Sequence, residues 1–166
     1  MKRISLAVLL LTISVTGSFG QNAAERIQRA YAFYTSSIPG TIAVDPNGNP
    51  QRPSSIIERF IYVECSGTKM PVISNVVYDK TMYTALVIPI NEGVVHVGKN
   101  DFTGQDIQLI PKKGRHFWKV QLQALNETAG LNHADAKHIT INARVGTKSY
   151  TYYLYTEKKL MAPDRP

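Results

Sequence analysis

Residues 139 to 157 read ITINARVGTKSYTYYLYTE, and they alternate, turn, and then become rich in tyrosine. Ile139, Ile141, Ala143 and Val145 are interleaved with Thr140, Asn142 and Arg144, the period of a strand with one apolar and one wet face. Gly146-Thr147 comes next, and glycine at the first of two loop positions suits a type II′ hairpin turn. Lys148 to Glu157 then carries Tyr150, Tyr152, Tyr153, Leu154 and Tyr155, residues that favour a pleated, half-buried surface. A β-hairpin at this point makes an all-β chain the first expectation.

The same period recurs upstream. Residues 56 to 65 place Ile57, Ile61, Val63 and Cys65 on one face and Phe60 and Tyr62 on the other, while 72 to 78 and 82 to 90 are rich in valine, isoleucine and tyrosine. All three read as strands. Residues 115 to 125 set Trp118, Val120 and Leu122 against Lys119, Gln121 and Gln123, again one buried and one wet face. Shorter strands are expected at 93 to 97 and 107 to 110, and an edge strand at 41 to 44 between Pro39-Gly40 and the turn-forming run Asp45 to Pro50. About eight or nine strands, with turn signals roughly 8 to 15 residues apart, point to an antiparallel sandwich of immunoglobulin-like or fibronectin-like type. With one cysteine the usual inter-sheet disulfide is impossible.

The N-terminal part departs from this pattern. Asn22 with Glu25 resembles a capping box, and Ile27, Ala30, Tyr31 and Tyr34 share a helical face. Ala30 to Thr35 also alternates well enough for a strand, but a short helix or irregular arm is the expectation taken over residues 22 to 35. Ahead of it, Lys2 and Arg3 precede an apolar run from Ile4 to Val15 and the small residues Ser18 and Gly20, the order of a cleaved secretory signal peptide over residues 1 to 20. The run is too short for a membrane span, which needs about 20 apolar residues, so no transmembrane anchor is expected. Residues 21 to 166 read as one domain in the periplasm or outside the cell, without internal repeats or a long linker.

Loss of Lys2 and Arg3 lowers the formal charge from +7 to +5. The basic residues are scattered except for Lys112, Lys113, Arg115 and Lys119, which makes nucleic acid a poor partner. The sequence has no G-x-S-x-G elbow, H-E-x-x-H pair, P-loop or dinucleotide fingerprint. Cys65 has no local histidine signature and reads as a small core residue. His133, Asp135 and His138 match no zinc spacing, and His96 and His116 read as partly buried strand residues. Glu58, Glu64, Asp79, Glu92, Asp101 and Asp106 read as solvated carboxylates rather than an acid/base pair. Asn100 to Asp106 reads as a turn rather than a calcium loop, for want of a dense acidic pattern. Asn126-Glu127-Thr128 matches the N-glycosylation acceptor pattern. No catalytic residue, metal or cofactor is expected.

The nine tyrosines are the most distinctive feature. Strand alternation sends Tyr153 and Tyr155 to the face opposite Tyr150 and Tyr152, so one pair should be exposed for docking or for stacking on sugars. Lys112, Lys113 and Arg115, just before His116 and Trp118, form a second candidate contact region. The expected function is binding without catalysis, as an adaptor docking to another envelope or extracellular protein. The alternative is a carbohydrate-binding module for a polysaccharide, acidic if the positive charge takes part.

Overall fold

The computed structural model describes residues 26–37, 44–48, 56–66, 68–91, 93–124 and 138–162. The expected signal peptide, the glycosylation pattern and the His133–Asp135 segment lie outside these residues, as does all of the 41 to 44 strand but Val44. Ten strands and no helix occur among the described residues: β1 (Ile27–Ser37), β2 (Ile56–Ser66), β3 (Val72–Tyr78), β4 (Thr81–Pro89), β5 (Val95–Lys99), β6 (Asp106–Leu109), β7 (Arg115–Ala124), β8 (Ile139–Val145), β9 (Lys148–Leu154) and β10 (Glu157–Leu160). The fold is an all-β sandwich, as the strand pattern implies.

Eight strands form one sheet in the order β10-β1-β2-β7-β4-β3-β8-β9, and β5 and β6 form a separate hairpin. The long sheet curls, so that its β1-β2-β7 half and its β3-β8 half meet across one core. That core includes Ala32, Ile61, Val63 and Val120 from the first half and Val76, Ile139, Ile141 and Ala143 from the second. A second cluster lies behind the first half, where Phe33, Tyr62 and Phe117 pack under Val95 and Leu109 of the hairpin and Leu160 of β10. Strands β1 and β2 are thus covered on both faces, which explains why their apolar residues fail to keep to one parity, whereas β7 adds only Phe117 to the second cluster and leaves its outward Gln121 and Gln123 exposed.

The expectation of a helix or arm over residues 22 to 35 is corrected from Ile27 onward, where the chain is a strand paired with β2 on one edge and β10 on the other. A register shift between Ile27 and Arg29 is the reason. One inserted residue moves Ile27 to three positions before Ala30, after which Ala32 and Tyr34 follow at intervals of two. The bulge therefore imitates the first step of a helical repeat, and pairing on both edges overrides it.

The 148 to 157 strand also differs from expectation, because it divides at Tyr155-Thr156. Before the break β9 pairs with β8, and after it β10 pairs in parallel with β1 at the opposite end of the sheet order. The curl brings the two ends together, and Ile27 N–H donates to the Tyr150 hydroxyl at 3.0 Å. Gly146 has φ of +58° while Thr147 stays out of the left-handed region, as a type II′ turn requires.

Candidate functional site

Tyr153 and Tyr155 are 60% and 67% exposed. Tyr150 and Tyr152, of the opposite parity, pack against the core, so alternation alone separated the two pairs. Register places Tyr153 opposite Thr140, Thr140 beside Val77, and Val77 opposite Met82. This row crosses four strands on the outer face of β4-β3-β8-β9, and Tyr155 continues beyond it with its ring edge-on to His138 at 6.0 Å.

A polar row runs beside the first. Asn142 Nδ2 donates to Asn75 Oδ1 at 2.7 Å, and Thr151 Oγ1 donates to Asn142 Oδ1 at 3.1 Å. Leu86, Met82 and Val72 are exposed on the same face. Arg144 is the one charged residue among its outward ladder positions in the described residues. The surface is broad and poor in charge, and nothing in the described chain covers it. Such a surface can bury area against a partner without desolvating ions.

The second candidate region divides. Lys112 and Lys113 are exposed at the turn before β7, but Trp118 is only 8% exposed and belongs to the main core. Its ring does not join the basic residues at the surface. Arg115 is committed to Glu64, with Nη1 3.4 Å from Oε2. Glu64, read in the sequence as a solvated carboxylate, is instead fully buried. It accepts hydrogen bonds from Arg29 Nη2 at 2.8 Å and from the Lys112 backbone N–H at 2.7 Å. Burial works to raise its pKa, but the hydrogen bonds from Arg29 and Lys112 outweigh burial and hold the carboxyl below its ordinary value. This cluster fastens the basic turn to the sheet.

A second buried ion pair stands at the inner face, where Arg59 Nε lies 3.2 Å from Glu157 Oε1 with both side chains almost inaccessible. The guanidinium sits over the Tyr78 and Tyr34 rings and donates to the Tyr83 hydroxyl at 3.4 Å. Burial, and then the neighbouring Glu157 charge, push the Tyr78 phenol upward. The pair ties β10 to β2. Cys65 is fully buried, and burial followed by the Glu64 charge pushes its thiol up to about 12, which suits a core residue and not a nucleophile.

His96 and His116 are exposed rather than partly buried, and His138 lies at the surface beside Tyr155. No group of three or more metal-ligating side chains occurs among the described residues. The Asn100 to Asp106 segment is a turn whose Asn100 Oδ1 accepts from the backbone N–H groups of Phe102 and Thr103, both at 2.9 Å. Phe102 at its tip is 97% exposed, a surface aromatic the sequence reading passed over; a lone phenylalanine inside a turn signal was the available clue.

Two grooves lie beside β5. One, of about 370 Å³, is lined by Tyr62, Ile90, Val95, His96 and Lys119. The other, of about 480 Å³, is lined by Glu58, Phe60, Val97, Lys99 and Met161 among others. Their walls come from segments far apart in sequence, so no local pattern could announce them. Comparison of the chain with protein families, with curated proteins and with solved structures finds no match.

Proposed function

We propose that this chain is an exported, non-catalytic binding protein that docks to another envelope or extracellular protein through the outer face of β4-β3-β8-β9. The observation that carries this reading is the uncovered, charge-poor face bearing Tyr153, Met82 and Leu86. Tyrosine is suited to anchor such a contact because its ring buries apolar area while its hydroxyl keeps a polar partner. Tyr155 extends the contact at the end of the row, and Lys112 and Lys113 supply a separate basic point at the turn before β7.

The test is cross-linking of the exported protein in cells, followed by identification of what is attached. A single recurrent protein that is lost from the Tyr153→Ser, Tyr155→Ser variant supports the reading. Retention of that partner by the variant, with the fold intact, removes the tyrosines from the interface.

A second reading, a carbohydrate-binding module, is favoured by one observation: the Asn75–Asn142–Thr151 hydrogen-bonded row beside exposed Tyr153. Fixed amides and hydroxyls can match sugar hydroxyls while the ring stacks on a sugar face. Retention on a glycan array that is abolished by Tyr153→Ser would select this reading over a protein partner.

A further inference from the structure

The two edges of β5 have different neighbours. One pairs with β6, while the other meets β10 only at its end, where Met161 N–H donates to Lys99 O at 2.9 Å and Asn100 bridges Leu160. From Val95 to Gly98 this second edge has no strand beside it among the described residues. The register shift between His96 and Gly98 also leaves Val97 without a partner on β6. An edge of this kind offers main-chain donors and acceptors to an incoming extended chain.

Both grooves run beside β5. Tyr62 lines the groove next to Val95 and His96, and Phe60 lines the one next to Val97 and Lys99. Phe60 and Tyr62 are two residues apart on β2, and their rings meet edge-on at 5.8 Å. The Lys119 ammonium rests over the Phe60 ring at 4.8 Å and marks the boundary between the grooves. In an extended peptide, side chains on one face recur every second residue, as Phe60 and Tyr62 do on β2 beneath the two grooves.

The charges along the grooves are Lys119 and Lys99 against Glu58, with His96 at one end. Cations outnumber the single carboxylate. The geometry points to a peptide groove at β5: an extended, acidic segment of a partner protein adds to the Val95–Gly98 edge, with apolar side chains in the two grooves and carboxylates at Lys119 and Lys99. This surface is separate from the tyrosine face, so it stands or falls independently of the function proposed above.

The probe is an end-capped pentapeptide of alternating aspartate and leucine, titrated into isotope-labelled chain and followed by amide chemical shifts. Shifts and slowed exchange confined to Val95–Gly98 and to Phe60, Tyr62 and Lys119 are expected. Lys119→Glu should weaken binding by about tenfold or more, and Lys99→Gln provides a milder second variant should charge reversal disturb the fold. Methylation of alternate peptide nitrogens should abolish binding, because it removes the main-chain donors while keeping the side chains. Equal binding of the methylated peptide or of a lysine-leucine peptide, shifts centred on Tyr153, or no saturation by about 1 mM would each overturn the assignment.

Discussion

The two outer faces of the curled sheet come from the same chain and the same alternation, yet they have opposite fates. Behind β1-β2-β7 the outward residues include Phe33, Tyr62 and Phe117, and the β5–β6 hairpin lies over them. Behind β4-β3-β8-β9 they include Thr140, Asn142, Thr151 and Tyr153, and no described element covers them. Beneath the hairpin the first face is aromatic and buried, with Arg29, Glu64 and Arg115 locked together at its end. The second is amide- and hydroxyl-rich with isolated apolar side chains. Covering a face lets it be apolar, whereas leaving one open requires enough polar groups to stay soluble. The open face is therefore where a partner can be received without dismantling the fold.

A pair of truncations should separate the two faces most widely. Phe33→Ala should cost about 3–5 kcal/mol, because it opens a cavity among Phe60, Tyr62 and the hairpin. Leu86→Ala, on the open face, should fall within about 0.5 kcal/mol of the parent. Urea unfolding of both variants measures the contrast. Comparable losses would mean that the open face is covered in solution.

Next in size is the ion cluster that closes the covered face. Glu64 carries a folded-state pKa below its ordinary value, so it binds its proton more weakly when folded than when unfolded. Its stabilisation is present above the unfolded pKa, near 4.5, and is lost as pH falls through the lower folded value. Glu64→Gln should cost about 1–3 kcal/mol at neutral pH, since two arginines lose a buried carboxylate partner. It should also flatten the decline in stability below pH 4.5, read from melting temperature against pH. An unchanged acid limb would assign acid sensitivity to another group.

Cys65 tests whether the two halves of the sheet separate in the native state. Its thiol is inaccessible and pushed up to about 12, so an aromatic disulfide reagent should label it only at the rate of opening. Labelling that rises with denaturant in step with global unfolding is the expected result. Fast labelling in the absence of denaturant would show that the halves part readily and that the core between them is not a permanent layer.

Most of the strands could be read from the sequence because each keeps one face wet or sits between clear turn signals, as Ile139 to Val145 does. The misreadings share a cause, which is that pairing partners lie far away in sequence. The bulge after Ile27 disguised β1 as a helix start, and β10, with the polar sequence Glu-Lys-Lys before Leu160, has no strand signal of its own. It becomes a strand only because β1 offers an edge and Arg59 receives Glu157. Exposure was legible where parity decides it, at Tyr153 and Tyr155. It was not legible where exposure depends on what the curl brings overhead. Glu64 shares the outward parity of Phe60 and Tyr62, and only the layer above shows that it is enclosed, whereas the alternation of β7 already placed Trp118 on the buried face, away from the basic turn.

A substitution with little expected effect on stability is the most discriminating for function. Replacing Tyr153 and Tyr155 by serine removes two rings that are mostly in water, so folding should change by no more than about 0.5 kcal/mol per site. Some loss of strand propensity at Tyr153 falls within the same range, because among the described residues β9 pairs with β8 alone. Partner retention should nevertheless fall by about tenfold or more, since a central interface aromatic typically contributes upwards of 1 to 2 kcal/mol to binding. The comparison of the two faces depends on this separation. A variant that loses its partner while keeping its melting temperature places the rings at an interface, whereas one that loses both places them within the fold, and the open face would then have to be redrawn without them.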